Sequence, residues 1–143
     1  MNENKMIFLW AAFLVILIGF FAIRPFEYKL ETARGLGDVV RLGDEVYNQG
    51  TLDKFMETVN TKKTGNVRLV TYTKEGNAVI SKLIYDGYNI KLTIDARRDK
   101  STTGFWKISK STYAGIEKMD GSKGLEYYLT IPGGEKKLIF IGK

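Results

Sequence analysis

Five side chains carry what chemistry this sequence offers: Glu75, Asp95 and Asp99, with Arg97 and Arg98 between the two aspartates in the segment Asp95-Ala-Arg-Arg-Asp-Lys100. A pair of carboxyl groups about 5 to 9.5 Å apart can hydrolyse a glycosidic bond, one as acid and the other as nucleophile or base. Two arginines can pair internally with the flanking aspartates, or present a planar fork to a phosphate or carboxylate. The internal pair is the favoured reading, because an arginine beside an aspartate usually finds it.

Other reaction types are closed off by composition. The chain has no histidine and no cysteine. That removes the commonest general base, Ser-His and Cys-His nucleophile systems, thiol catalysis, disulfides and thiolate zinc sites. Gly35-Leu36-Gly37 and Gly133-Gly134 lack the strand-loop-helix setting of a phosphate loop. Asp53 and Glu57, four residues apart, fit a solvent-facing helix side that balances Lys54 better than a metal site. No cofactor and no metal are expected. Aromatic residues make up 13% of the chain. Trp106, beside Phe105 and after Ser101-Thr102-Thr103-Gly104, is the candidate exposed aromatic. With Tyr72, Glu75, Arg97 and Arg98 it forms the candidate interaction face; core filling is the competing role for the aromatics.

The elements that must position these residues follow from periodicity. In TLDKFMETVNTKK, residues 51–63, Leu52, Phe55, Met56 and Val59 make one apolar helical stripe, with Thr51 placed as N-cap and Gly65 near the end. After Gly65 the period changes to two. Val67–Thr73, Ala78–Tyr85 and Ile90–Asp95 read as strands, followed by Phe105–Ser109, Tyr113–Lys118, Leu125–Ile131 and Lys137–Ile141. Asp38–Leu42 and Glu45–Tyr47 are two shorter candidates. Glu75-Gly76 and Asp86-Gly87 supply the turns of two hairpins. This pattern predicts an α+β class: a small antiparallel meander packed with one amphipathic helix.

The N-terminal end differs in kind. Met6–Ile23, MIFLWAAFLVILIGFFAI, holds no charged residue over 18 positions. It predicts an uncleaved transmembrane signal-anchor, since about 20 apolar residues cross a bilayer core of about 30 Å. A cleaved signal peptide is the rival, but no Ala-x-Ala site closes the run. The expected organisation is a cytoplasmic tail at 1–5, the anchor at 6–23, a linker at 24–37 and an extracytoplasmic α+β domain at 38–143. Lysine and arginine number 22 against 16 acids, a net charge of +6. An external domain of this sign is drawn to anionic lipid or envelope polymer, although scattered charge also serves solubility alone. No base-reading motif points to nucleic acid.

Taken in order, Gly37-Asp38-Val39-Val40, Tyr47-Asn48, the Leu52/Phe55 helix, Arg68, Tyr72-Thr73-x-Glu75-Gly76, Tyr85-x-Gly87 and Asp95-x-x-Arg98-Asp99 form a recognisable series. Over roughly Gly37 to Ile131 it resembles a family of small domains of unknown function from secreted or lipid-anchored proteins of Gram-positive bacilli. The resemblance implies an extracytoplasmic, membrane-attached setting and no established activity. The chain departs from that pattern in lacking a lipobox cysteine, in placing Tyr113 and Pro132 where relatives carry a cysteine pair, and in having Asn77-Ala78 at the first hairpin turn. The expected function is a non-enzymatic, membrane-tethered interaction domain binding a membrane protein or an anionic envelope polymer. A carboxylate-dependent hydrolase of wall glycan and a regulatory subunit of a transmembrane complex are the alternatives.

Overall fold

The computed structural model describes residues 3–23, 27–101 and 107–143, with the first stretch's side chains described over 5–18. Helix α1, Glu3–Ile23, is apolar, and every described side chain on it is exposed. Among the described residues no helix is long and apolar enough to cross a membrane. This corrects the expected transmembrane helix at 6–23.

The expected single meander with one helix is corrected as well, because the fold is mostly β and has two sheets. Helix α2 (Leu30–Gly35) lies inside the stretch expected as a linker. It leads into strand β1 (Val39–Leu42), a hairpin to β2 (Glu45–Tyr47), helix α3 (Gln49–Asn60) and β3 (Gly65–Tyr72). Strands β4 (Ala78–Tyr85), β5 (Ile90–Asp95) and β6 (Ile108–Tyr113) follow, then β7 (Gly115–Gly121), β8 (Gly124–Thr130) and β9 (Lys137–Ile141). The large sheet runs β2-β1-β3-β4-β5-β6 and the small one β7-β8-β9. All neighbours are antiparallel except β1 and β3, which pair in parallel with Val39 opposite Leu69 and Val40 opposite Val70. Helix α3 carries the chain between those two strands. A parallel pair needs such a crossover, and the apolar stripe of α3 needs the sheet beneath it.

The period-two alternation sorts the large sheet into two faces. Val39, Val67, Leu69, Leu83, Tyr85, Ile90 and Leu92 face α3, where Leu52, Phe55 and Val59 are buried among them. The small sheet closes this core from the other side through Ile116, Tyr127, Leu129 and Phe140. The Tyr127 hydroxyl donates to Asp53 Oδ1 at 3.0 Å and accepts from Gln49 Nε2 at 3.1 Å, so its polar end is satisfied on α3. On the opposite face Ala33 of α2 packs with Val40, Val70 and Ala78, and with half-buried Tyr28, Tyr72 and Ile80.

The start of α3 also differs from the reading of Thr51 as cap. The helix begins at Gln49, and Asn48 takes the left-handed conformation at φ 56°. Asparagine tolerates that region better than most residues. Its side-chain amide donates to the carbonyls of Asp38 at 2.9 Å and Arg34 at 3.1 Å. Asn48 thus joins α2, β1 and α3 instead of capping its own helix.

Because Leu52 is fully buried between the sheets, Leu52→Ala should destabilise the protein by about 2–5 kcal/mol, the usual range for such a deletion. Chemical denaturation of parent and variant measures this; a loss within ~0.5 kcal/mol, typical of a surface change, would contradict the packing described.

Candidate functional site: a cleft at one end of the large sheet

Two loops and one extended segment meet where β3 ends, β4 begins and β5 ends. The β3–β4 turn is closed by Thr73 N–H to the Asn77 carbonyl at 2.9 Å and by Gly76 N–H to the Thr73 carbonyl at 2.9 Å. Gly76 sits at φ 82°, where glycine carries no Cβ penalty. This presents Glu75 at the exposed tip. After β5 the chain turns at once, with Ala96 N–H bonded to the Lys107 carbonyl at 2.7 Å and Asp99 N–H to the Ala96 carbonyl at 3.0 Å. Residues 27–29, just before α2, form the third side.

Between them lies a cleft of about 710 Å³, lined by Glu27, Tyr28, Glu75, Gly76, Asn77, Ala78, Arg97, Arg98, Lys100 and Lys107. Glu75, Arg97 and Arg98 from the candidate interaction face therefore share one cavity. Tyr72 stands behind it, its hydroxyl donating to the Tyr28 carbonyl at 2.8 Å. Trp106 lies outside the described residues. Tyr28, Lys100 and Lys107 were not singled out in the sequence; Tyr28 sits in a stretch that looks like linker and carries no periodic signal.

Tyr28 is held by an ionic cluster built on a buried acid. Asp38, immediately before β1, is only 4% exposed. Its Oδ1 accepts from Arg68 Nε at 2.7 Å and its Oδ2 from the Tyr28 hydroxyl at 2.6 Å. Arg68 Nη2 in turn donates to the Tyr28 hydroxyl at 2.7 Å, closing a three-membered ring of bonds. The guanidinium groups of Arg68 and Arg98 also lie 5.4 and 5.8 Å from the centre of the Tyr28 ring, within cation–π range. Burial, then the hydrogen bond to Asp38, pushes the Tyr28 hydroxyl up to about 12. The same carboxylate raises Arg68 above the ordinary arginine value. Tyr28 is therefore a fixed, neutral wall of the cleft.

The arginines meet Asp95. Arg97 donates through Nε at 3.0 Å and Nη2 at 2.9 Å, a bidentate clasp, and Arg98 adds Nη1 at 3.1 Å. The hydrogen bonds of Arg97 hold the Asp95 carboxyl down at about 2. A glycosidase acid needs the reverse, a carboxyl kept protonated near neutrality. Buried Asp99 accepts from Ser101 N–H at 2.9 Å and Ser101 Oγ at 2.7 Å, which uses it to shape the loop. Among the described residues no group of three or more acidic side chains is placed to hold a metal ion.

Two outcomes follow. Asp38→Asn removes the charge that Arg68 faces, and should cost about 1.5–3 kcal/mol, the range for hydrogen bonds to charged groups, measured by denaturation at pH 7. A stability equal to the parent's would show that the ring of bonds is not holding the cluster. Asp95 has a folded value of about 2 against an ordinary 3.8, so its contribution is present above that ordinary value and is lost as pH falls toward 2. The Tm gap between parent and Asp95→Asn should therefore narrow from pH 4 to pH 2; a gap independent of pH over that window would contradict the clasp.

No curated protein matches the chain, and no solved structure does. The family described as a domain of unknown function, DUF4362, matches residues 36–128. That span opens just before β1, ends within β8, and includes Asp38, Arg68, Tyr72, Glu75, Arg97 and Arg98 while leaving out Tyr28. The match covers well over half of the chain, which therefore belongs to the DUF4362 family of domains of unknown function.

Proposed function

We propose that this protein is an extracytoplasmic, membrane-attached binding domain without catalytic activity, and that its partner enters the cleft beside Tyr28. The observation that carries this reading is the convergence of Arg97, Arg98, Lys100 and Lys107 with Tyr28 and Glu75 on one 710 Å³ cavity. A fixed aromatic wall, cations and an exposed carboxylate at the rim suit recognition of an anionic group on a larger molecule. The Asp95 clasp supports a binding role over hydrolysis, because it fixes the arginines in place and leaves Asp95 ionised. Attachment is supported by α1. Its apolar side chains from Met6 to Ile18 are 45–80% exposed, and so large an apolar surface calls for an apolar cover.

Photo-cross-linking in cells tests this. A photoreactive residue placed at Asn77, on the cleft, should yield discrete adducts, and one placed at Ser122, in the β7–β8 turn, should not. Adding Arg97→Ala and Lys100→Ala should remove the Asn77 adducts. Equal labelling from both positions, or adducts that survive the double substitution, would overturn the assignment.

A further inference from the structure

The described residues cover only half of the large-sheet face that carries Asp95. Pairing fixes which residues share it. Arg68 stands opposite Lys82, Lys82 opposite Thr93, and Thr93 opposite Lys110, a row across β3, β4, β5 and β6. Neighbouring strands lie about 4.8 Å apart, so Lys82 and Lys110 are separated by roughly 10 Å. The next row toward the cleft is Ile80, Asp95 and Ile108, one pleat or about 6.6 Å away along the strands. The cationic row and the cleft are thus adjacent parts of one surface.

This row is costly to the fold. Like charges directly opposite on neighbouring strands destabilise a sheet, and Arg68 faces Lys82 in that way. Arg68 is neutralised by Asp38 at 2.7 Å. Among the described residues no ion pair involves Lys82, Lys110 or Lys100, and all three are exposed. The one carboxylate of the neighbouring row, Asp95, is spent on Arg97 and Arg98. A lysine on the edge strand β6 has a protective use against edge pairing. Lys82 does not, since β4 is flanked on both sides.

The shape of the surface selects among anionic partners. Helix α2, about 10 Å across, stands on the β1–β3 side of this face, where Ala33 packs on Val40 and Val70. The lysines therefore lie on a shelf below a step. A planar bilayer is held off by the step, whereas a single chain can lie along it. Among the described residues the open rows carry lysine, threonine, isoleucine and the clasped Asp95 and no aromatic ring, so they lack the stacking platform that single-stranded nucleic acid uses.

We infer that the shelf of Lys82 and Lys110 extends the cleft into a track for a linear polymer of phosphodiester charges without bases, of the poly(glycerol phosphate) kind. This rests on the proposed binding role of the cleft and names its ligand class. One anionic group sits at Arg97 and Lys100, and its neighbours along the chain meet Lys82 and Lys110.

The test is titration of the full chain, in neutral detergent, with fluorescent poly(glycerol phosphate), with glycerol phosphate monomer, anionic lipid vesicles and single-stranded DNA as comparisons. The parent should bind the polymer most tightly. Lys82→Gln with Lys110→Gln should weaken it roughly 25-fold, about fivefold per lysine, and flatten the salt dependence. Because that variant relieves a like-charge contact, its Tm should equal or exceed the parent's, so weaker binding cannot come from unfolding. Lys82→Arg with Lys110→Arg should restore binding. Unchanged binding in the glutamine variant, with loss in Arg97→Ala/Lys100→Ala, would overturn the track and leave the cleft reading standing. Indifference to both pairs, or tighter binding to vesicles or DNA, would overturn the track as well, and indifference to both would remove the cleft with it.

Discussion

The Asp38 carboxylate is the point from which the rest of this architecture hangs. It is buried beside β1, and an isolated charge there would be prohibitively costly. Arg68 supplies the countercharge and Tyr28 the second hydrogen bond, so both oxygens are satisfied. The same ring of bonds ties three parts of the chain that share no local contact: the segment before α2, the start of β1 and the middle of β3. Asn48 bonds the Asp38 carbonyl and adds the start of α3. Tyr72 holds the Tyr28 carbonyl from the end of β3. One buried acid therefore fixes where α2 sits on the sheet, and with it the aromatic wall of the cleft.

The two faces of the large sheet divide structure from recognition. One face, α3 and the small sheet form a continuous apolar core in which the few polar ends, such as the Tyr127 hydroxyl, find partners on α3. That core tolerates little change, because every strand of both sheets and every turn of α3 contributes a buried or closely packed side chain to it. On the other face, α2 and Tyr28 are the cover among the described residues. On its remaining half, where no described element packs, the sequence places lysines and the anchored arginine pair. Charge accumulates where the fold leaves it room, and the Asp95 clasp keeps two of those charges at a set position at the mouth of the cleft.

Much of the β architecture was legible because it rests on alternation. The limits of β2, β4, β5 and β9 coincide with the alternating segments in the sequence, and the Leu52, Phe55 and Val59 stripe marks α3. Pairing between distant strands was not legible. The parallel register of β1 on β3 depends on α3 returning the chain across the sheet, and no local pattern encodes that. Helix α2 is too short to show a period, and the bonds of Asn48 to Arg34 and Asp38, made across 14 and 10 residues, override the local preference for Thr51 as a cap. In the site, Asp95, Arg97 and Arg98 were visible as a dense charged segment. Tyr28 was not, since its role comes from a carboxylate ten residues away and an arginine forty residues away. The apolar N-terminal run was legible as a helix; the reading of it as a bilayer span was not sustained by the described residues.

The most direct test of the whole account is nitrogen-detected NMR of the arginine and lysine side chains in the full chain as poly(glycerol phosphate) is added. Arg97, Lys100, Lys82 and Lys110 should shift together, while Lys118 and Lys136, paired with Asp53 and Glu117 on the far side of the core, stay in place. Shifts confined to those far-side lysines, or spread evenly over the basic residues, would show that the cleft and its shelf are not a binding surface.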